Sequence, residues 1–161
     1  MQLKASGDNV RKSRLVIWLL LLTLLVMSFL FAWQSVEQQA SKSALQLANQ
    51  RINERASYYK QQWLLAKQPT SLKIGSQRVN YTNTGWVTPL NRQWQVDCKY
   101  WLDILYPETE LLGSKPLKVT DESIAGHYRC LYNYNQNGFI SISLIDNNFS
   151  AKVGFLISSI Y

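Results

Sequence analysis

The sequence has few of the residues on which protein chemistry most often depends. Among 161 residues there are one histidine and two cysteines. A metal site built from protein ligands alone needs about three or four His, Cys or carboxylate groups, so we expect no metal centre. The chain also lacks a glycine-rich phosphate loop and a Gly-x-Ser-x-Gly elbow. Nothing therefore predicts a nucleotide cofactor or a serine hydrolase.

The groups that could act as acids or bases have no partners at catalytic spacing. His127 stands alone, which favours a surface residue over a general base. Two carboxylate pairs lie beside a predicted turn: Asp97 with Asp103, and Glu108 with Glu110. Such positions are typical of a helix cap and of solvated charges. We therefore predict no catalytic residue, no cofactor and a non-enzymatic protein.

Positive charge is in excess but is not clustered in the C-terminal part of the chain. The net charge is +7, and beyond residue 34 no two basic residues are adjacent. Because a nucleic-acid interface needs a basic patch or stripe, nucleic acid is not an expected partner.

Charge is absent from residues 15–33, which form a long apolar run. In the sequence LVIWLLLLTLLVMSFLFAW only Thr23 and Ser28 are polar. As a helix this run is about 28 Å long, which matches the hydrocarbon core of a bilayer. The sequence predicts a transmembrane helix over 15–33, preceded by a short cytoplasmic tail over 1–14.

The tail predicts the orientation of this helix. Four basic residues oppose the single acid Asp8: Lys4, Arg11, Lys12 and Arg14. Lys and Arg collect on the cytoplasmic side, so we expect the C-terminal part of the chain to cross the membrane. A cleaved signal peptide is the alternative, but its apolar core has about 7–15 residues and precedes a small-x-small site. Bulky residues follow the longer run here, which favours an uncleaved anchor.

Residues 34–68 predict an amphipathic stalk helix that continues the membrane helix and ends before Pro69. One face carries apolar residues at steps of three and four: Leu45, Ala48, Ile52, Ala56, Tyr59, Trp63 and Ala66. We call this set the stalk stripe. Its end over 59–66 is expected to pack on the protein's own head. Its part over 45–52 is explained at least as well by a partner helix, from another protein or from a second copy of the chain.

Residues 69–161 predict a small α+β head. A loose strand pair or long loop surrounds a turn at 83–85. A short helix follows Asp97 as N-cap and ends at Pro107, with an apolar face of Cys98, Trp101, Leu102 and Leu105. Alternation then predicts three antiparallel strands joined by turns at 135–138 and 146–148. Their inward residues would include Tyr128, Cys130, Tyr132, Tyr134, Ile140, Ile142 and Leu144.

The two cysteines lie in the part of the chain that is predicted to cross the membrane. A disulfide between Cys98 and Cys130 is expected in that oxidising compartment. A reactive thiol would need a neighbouring base, and a metal pair would need further ligands, and the sequence supplies neither. The disulfide would join the short helix to the first meander strand and contribute about 3–4 kcal/mol through loop entropy.

This order of segments resembles the architecture of type IV pilins. They too have a membrane helix that runs into an amphipathic helix and a small disulfide-tied β head. Prepilins also carry a glycine at the cleavage junction and a glutamate inside the apolar helix, and residues 12–19, KSRLVIWL, have neither. This departure argues against processing and against a role as a fibre subunit.

Four stretches are similar to the MshF family, accessory proteins encoded with the mannose-sensitive haemagglutinin (MSHA) type IV pilus of marine gammaproteobacteria. They are RKSRLVIWLLLLTLLVMSF, ALQLANQRINERASYYKQQWLL, VDCKYWLDILYP and GHYRCLYNY. The resemblance implies a single-pass bacterial inner-membrane protein of pilus biogenesis with a periplasmic head. The implied partners are the lipid bilayer and other pilus-assembly proteins or pilins. The alternative is a membrane-anchored periplasmic binding or chaperone-like module of an unrelated system.

The first prediction concerns orientation. An alkaline phosphatase fused after Tyr161 should be active in intact cells, because the basic tail keeps the N-terminus in the cytoplasm. A reporter that works only in the cytoplasm should be silent at the same point. Activity of the cytoplasmic reporter, with an inactive phosphatase, would reverse the orientation.

Overall fold

The computed structural model describes residues 5–108, 110–111, 113–134 and 138–155, and gives only the backbone over 5–11 and 34–38. Lys4, the side chain of Arg11, most of the predicted turn at 135–138 and the end of the predicted last strand lie outside this description. The chain divides into two compact units, Met1–Ala40 and Ser41–Tyr161. The second unit therefore begins inside the segment predicted as stalk.

The first unit consists of the beginning of helix α1, Ala5–Leu65. Its segment Lys12–Trp33 is long and apolar enough to cross a membrane. The two hydroxyl groups in this segment donate to backbone carbonyls one turn earlier: Thr23 Oγ1 to Leu20 O at 2.9 Å, and Ser28 Oγ to Leu25 O at 2.8 Å. Because a polar hydrogen without a partner is costly in lipid, these bonds suit the segment to a bilayer.

The second unit has the predicted α+β class. The end of α1 is followed by a short helix and six strands: β1 Ser71–Ile74, β2 Gln77–Asn80, α2 Cys98–Leu105, β3 Lys118–Asp121, β4 Tyr128–Asn133, β5 Gly138–Ile145 and β6 Asn148–Phe155. Strands β3 to β6 form one antiparallel sheet in sequential order, and β1 pairs with β2 in a separate hairpin.

Helix α2 has the predicted boundaries. The carboxylate of Asp97 accepts a hydrogen bond from the backbone N–H of Tyr100 at 3.0 Å, which satisfies a donor that the first turn leaves free. The helix ends just before Tyr106 and Pro107. Its apolar residues Cys98, Trp101, Leu102 and Leu105 are buried, as their spacing predicts.

The meander has one strand more than the sequence predicts. The three predicted strands are β4, β5 and β6, and the cross-strand pairs Cys130–Ile142 and Ile142–Ala151 place their apolar residues on one inner face. Strand β3 pairs with β4 at the edge of the sheet. It has only four residues, KVTD, which is too short for alternation to predict.

The predicted strand pair near residue 84 is shifted in the structure. The hairpin of β1 and β2 turns at Gly75, whose φ of +63° suits glycine. The turn at 83–85 lies in a loop, the other interpretation that the sequence allowed, and it is closed by hydrogen bonds of Thr82 and by the isolated bridge between Tyr81 and Val87. The sequence signal was Asn-Thr-Gly, a turn former, but the strands that pair lie about ten residues earlier.

The stalk stripe is buried against the inner face of the sheet. Six of its side chains are less than a tenth exposed: Leu45, Ala48, Ile52, Ala56, Tyr59 and Trp63. They share one hydrophobic core with Tyr132, Ile140 and Ile142. The interpretation that a partner helix covers residues 45–52 is therefore corrected, because these residues are buried within the chain's own head. The reach of a small head was underestimated.

Two glycines allow the helix to come this close. A Cβ at Gly138 would lie 2.4 Å from Leu45 Cδ1, and a Cβ at Gly85 would lie 2.3 Å from Trp63 Cε3. Side chains at these points would push α1 away from β5 and from the 83–85 turn. The glycines therefore fix the helix at both ends of its buried face.

The second prediction tests this burial. Ile52→Asp should unfold the head, because it buries a carboxylate without a partner at a position that is fully enclosed. The expected loss is several kcal/mol, and thermal unfolding followed by circular dichroism of the detergent-solubilised protein measures it. Gln46→Asp, on the exposed side of the same helix, is the matched control and should change stability by about 0.5 kcal/mol or less. A folded Ile52→Asp head would contradict the packing.

Candidate functional site

The two cysteines form the predicted disulfide. Cys98 and Cys130 are bonded, with their Cα atoms 5.6 Å apart, and both are buried. The bond ties the first turn of α2 to β4, and Tyr132 Oη reinforces the same junction by donating to the backbone carbonyl of Cys98 at 2.7 Å. A carboxylate oxygen of Asp121 lies within 4.8 Å of both sulfurs. Because disulfide sulfurs carry no thiolate charge, this group is not a metal centre.

The remaining acid–base candidates occupy separate places on the surface. His127 Nε2 lies 3.0 Å from Asp146 Oδ1, and both side chains are at least half exposed. Glu108 pairs with Arg51 on α1, and Glu110 lies 4.0 Å from Lys115. The two predicted carboxylate pairs thus serve as a helix cap and as surface charges, and they do not converge on a shared point.

Burial raises the pKa of several tyrosines in the core. Desolvation raises the pKa of Tyr81 to about 12, and it also raises the pKa of Tyr132 and Tyr134. These phenols are neutral at physiological pH, so they act as core residues and not as acids or bases.

A groove of roughly 500 Å³ lies between the second half of α1, the β1 hairpin and the end of α2. Arg55 is one of its lining residues; its Nε donates to the Ile104 carbonyl at 2.8 Å, and its guanidinium carbon lies 5.7 Å from the centre of the Tyr59 ring. Arg51 and Glu108 form an ion pair at one side, and Tyr58 is 47% exposed beside them. The sequence pattern does not predict this groove, because its walls from α1 and from the end of α2 are about fifty residues apart along the chain.

A second exposed feature is the loop over residues 91–95, which we call the Trp94 loop. Asn91 Oδ1 accepts hydrogen bonds from the N–H groups of Gln93 at 2.9 Å and Gln95 at 3.1 Å. Trp94 has a φ of +61°, and its side chain is 67% exposed. That conformation costs a residue other than glycine about 1–2 kcal/mol. The loop is thus closed by its own hydrogen bonds and exposes a large apolar side chain to solvent.

The chain matches no known protein family, no characterised protein and no solved structure. Its class is therefore defined by architecture alone. An apolar N-terminal helix precedes an antiparallel β head that carries a disulfide, and this architecture is pilin-like. The apolar helix suits a single-pass anchor or a signal segment, and the disulfide indicates a head outside the cytoplasm.

The third prediction uses Tyr81. Its Oη is buried and has no hydrogen-bond partner among the described residues, so Tyr81→Phe should be neutral or stabilising at pH 7. The pKa of Tyr81 is about 12 in the folded protein and about 10 in the unfolded chain, so the unfolded chain loses its phenol proton first as the pH rises. The wild type therefore loses stability between about pH 10 and about pH 12. The free energy of unfolding of Tyr81→Phe relative to the wild type should therefore be about 1.4 kcal/mol higher at pH 11 than at pH 7.

Urea unfolding at pH 7 and pH 11 measures this difference, and Tyr128→Phe, at a less buried position at the start of β4, is the control. An equal effect of Tyr81→Phe at both pH values would show that the phenol ionises freely in the folded protein.

Proposed function

We propose that this chain is a non-enzymatic inner-membrane accessory protein of an MSHA-like type IV pilus system. It acts through contacts that its membrane helix and its periplasmic head make with other assembly proteins or pilins. The observation that carries the proposal is the pilin-like order of one apolar helix, an amphipathic continuation and a disulfide-tied β head. The similarity of four stretches to the MshF family supports it.

The membrane segment supports a role beside the fibre and not within it. Pilin helices carry a glutamate in their apolar part, whereas the segment Lys12–Trp33 has no acid, and its two hydroxyls are satisfied within the helix. A helix of this kind anchors a head without offering a charged group that would fix its register in a fibre.

The polar groups of the groove support binding over catalysis. Arg51 pairs with Glu108 and Arg55 donates to the Ile104 carbonyl, and the lining of the groove includes no His, Cys, Ser or Lys among the described residues that could act as nucleophile or base beside its carboxylates. Tyr58, half exposed at its edge, is the kind of side chain that contacts between proteins favour.

The groove also gives the alternative its support. This groove of roughly 500 Å³, lined by two guanidinium groups and three tyrosine rings, is large enough for part of a ligand. A membrane-anchored periplasmic binding or chaperone-like module would use such a hollow without any pilus.

The fourth prediction tests the proposed function. Deletion of the gene should reduce the number of surface pili in electron micrographs and reduce haemagglutination, and the full chain should restore both. The protein should remain in the inner-membrane fraction and be absent from sheared fibres. Complementation by Gln46→Asp should succeed and complementation by Ile52→Asp should fail, because only the second disrupts the head.

Normal piliation in the deletion strain would contradict the proposal and favour the binding module. Recovery of the protein from sheared fibres in amounts close to those of the major pilin would instead make it a fibre subunit.

A further inference from the structure

The Trp94 loop is held in one conformation by its own hydrogen bonds. Besides the two bonds to Asn91 Oδ1, the N–H of Trp94 donates to the Asn91 carbonyl at 3.1 Å, and the N–H of Asn91 donates to the Gln95 carbonyl at 3.0 Å. A loop with a left-handed residue at this place ordinarily uses glycine or asparagine there. The chain has tryptophan, whose side chain is two-thirds exposed, so packing within the described chain does not explain the choice.

A hollow of roughly 350 Å³ adjoins this loop. Its walls come from the β1–β2 turn, the Trp94 loop and the beginning of α2, and they include Arg78, Arg92 and Tyr100. Tyr100 Oη donates to the Arg78 carbonyl at 2.5 Å, which joins two of the walls. Three elements of the head therefore contribute to the hollow.

The charges of the hollow are unbalanced. Asp97 is its only acid, and its carboxylate already caps α2. Within the described part of the chain no carboxylate lies within 4.0 Å of the guanidinium groups of Arg78 and Arg92. Arg78 and Arg92 line the hollow, and the exposed Trp94 lies two residues after Arg92 in the adjoining loop. This combination favours a ligand that offers carboxylates and an apolar side chain together.

We propose that the Trp94 loop and the adjoining hollow form a docking surface for an acidic segment of a partner protein. Trp94 is the apolar anchor, and Arg78 and Arg92 pair with carboxylates of the segment. Tryptophan and arginine are the residues most enriched among those that dominate binding energy, and a preformed loop lowers the entropic cost of binding. The left-handed backbone at Trp94 is a strained position of the kind that collects at functional sites. The inference stands independently of the pilus role.

Photo-crosslinking in intact cells tests this surface. Benzoylphenylalanine is placed at position 94 of the full chain, and the crosslinked peptide is mapped by mass spectrometry. Leu117, 73% exposed, is the matched control position. We expect one protein product from position 94, with the crosslink inside a segment that carries at least two Asp or Glu residues. Arg78→Gln with Arg92→Gln should lower its yield about fivefold or more, whereas Lys152→Gln should not.

A second variant separates binding from folding. Trp94→Gly removes the indole and suits the left-handed backbone, so its melting temperature should equal or exceed that of the wild type. Its co-purification with the mapped partner should fall about tenfold or more. Lipid adducts at position 94, equal yield at Leu117, a crosslinked segment without acids, or a yield unchanged in the arginine variant would each overturn the proposal.

Discussion

The head depends on the burial of one helical face against one sheet. The stalk stripe and the apolar face of α2 supply the helical side of the core, and β4, β5 and β6 supply the sheet side, with Val79, Tyr81 and Val87 also part of it. Leu45 at Gly138 and Trp63 at Gly85 mark the two ends of the contact, where these two side chains occupy the space that a Cβ on the glycine would take. A domain this small needs such an arrangement, because a four-stranded sheet alone would leave its apolar face in water.

The same constraint decides which surfaces remain for partners. Since the apolar stripe is used inside the head, it is not part of the head's exposed surface, which includes the aromatic side chains of Tyr58 and Trp94. The disulfide holds α2 against the sheet, and α2 contributes one wall to the groove and one wall to the hollow beside the Trp94 loop. The exposed side chains Tyr58 and Trp94 are thus carried by elements that pack on the core, although neither side chain is part of the core.

Local chemistry predicted much of the fold. An N-cap aspartate before apolar residues at helical spacing was sufficient for α2, and strict alternation was sufficient for β4 and β5, because each signal lies within a few residues. The disulfide followed from the compartment that the membrane segment implied. Strand β3 and the β1 hairpin could not be predicted, because four-residue strands are defined by their partners and not by their own pattern.

The surfaces were harder to predict than the core. Whether Leu45 and Ile52 face a partner or the chain's own sheet depends on how far the sheet extends along the helix, and periodicity is the same in both cases. The groove joins residues about fifty positions apart, and the exposure of Trp94 follows from a left-handed backbone that no composition signal marks. Long-range contacts and single dihedral angles are therefore what the sequence pattern leaves undetermined.

Native-state hydrogen exchange of the full chain tests the central claim most directly. If the second half of α1 is part of the core, the amides of Ile52 and Ile142 should exchange with the same opening free energy, that of global unfolding. Exposed-face amides near Leu47 should be protected to nearly the same degree, since the helix cannot open without losing the stripe. Exchange at Ile52 that is several orders of magnitude faster than at Ile142 would show that the stalk opens independently, and it would contradict the account.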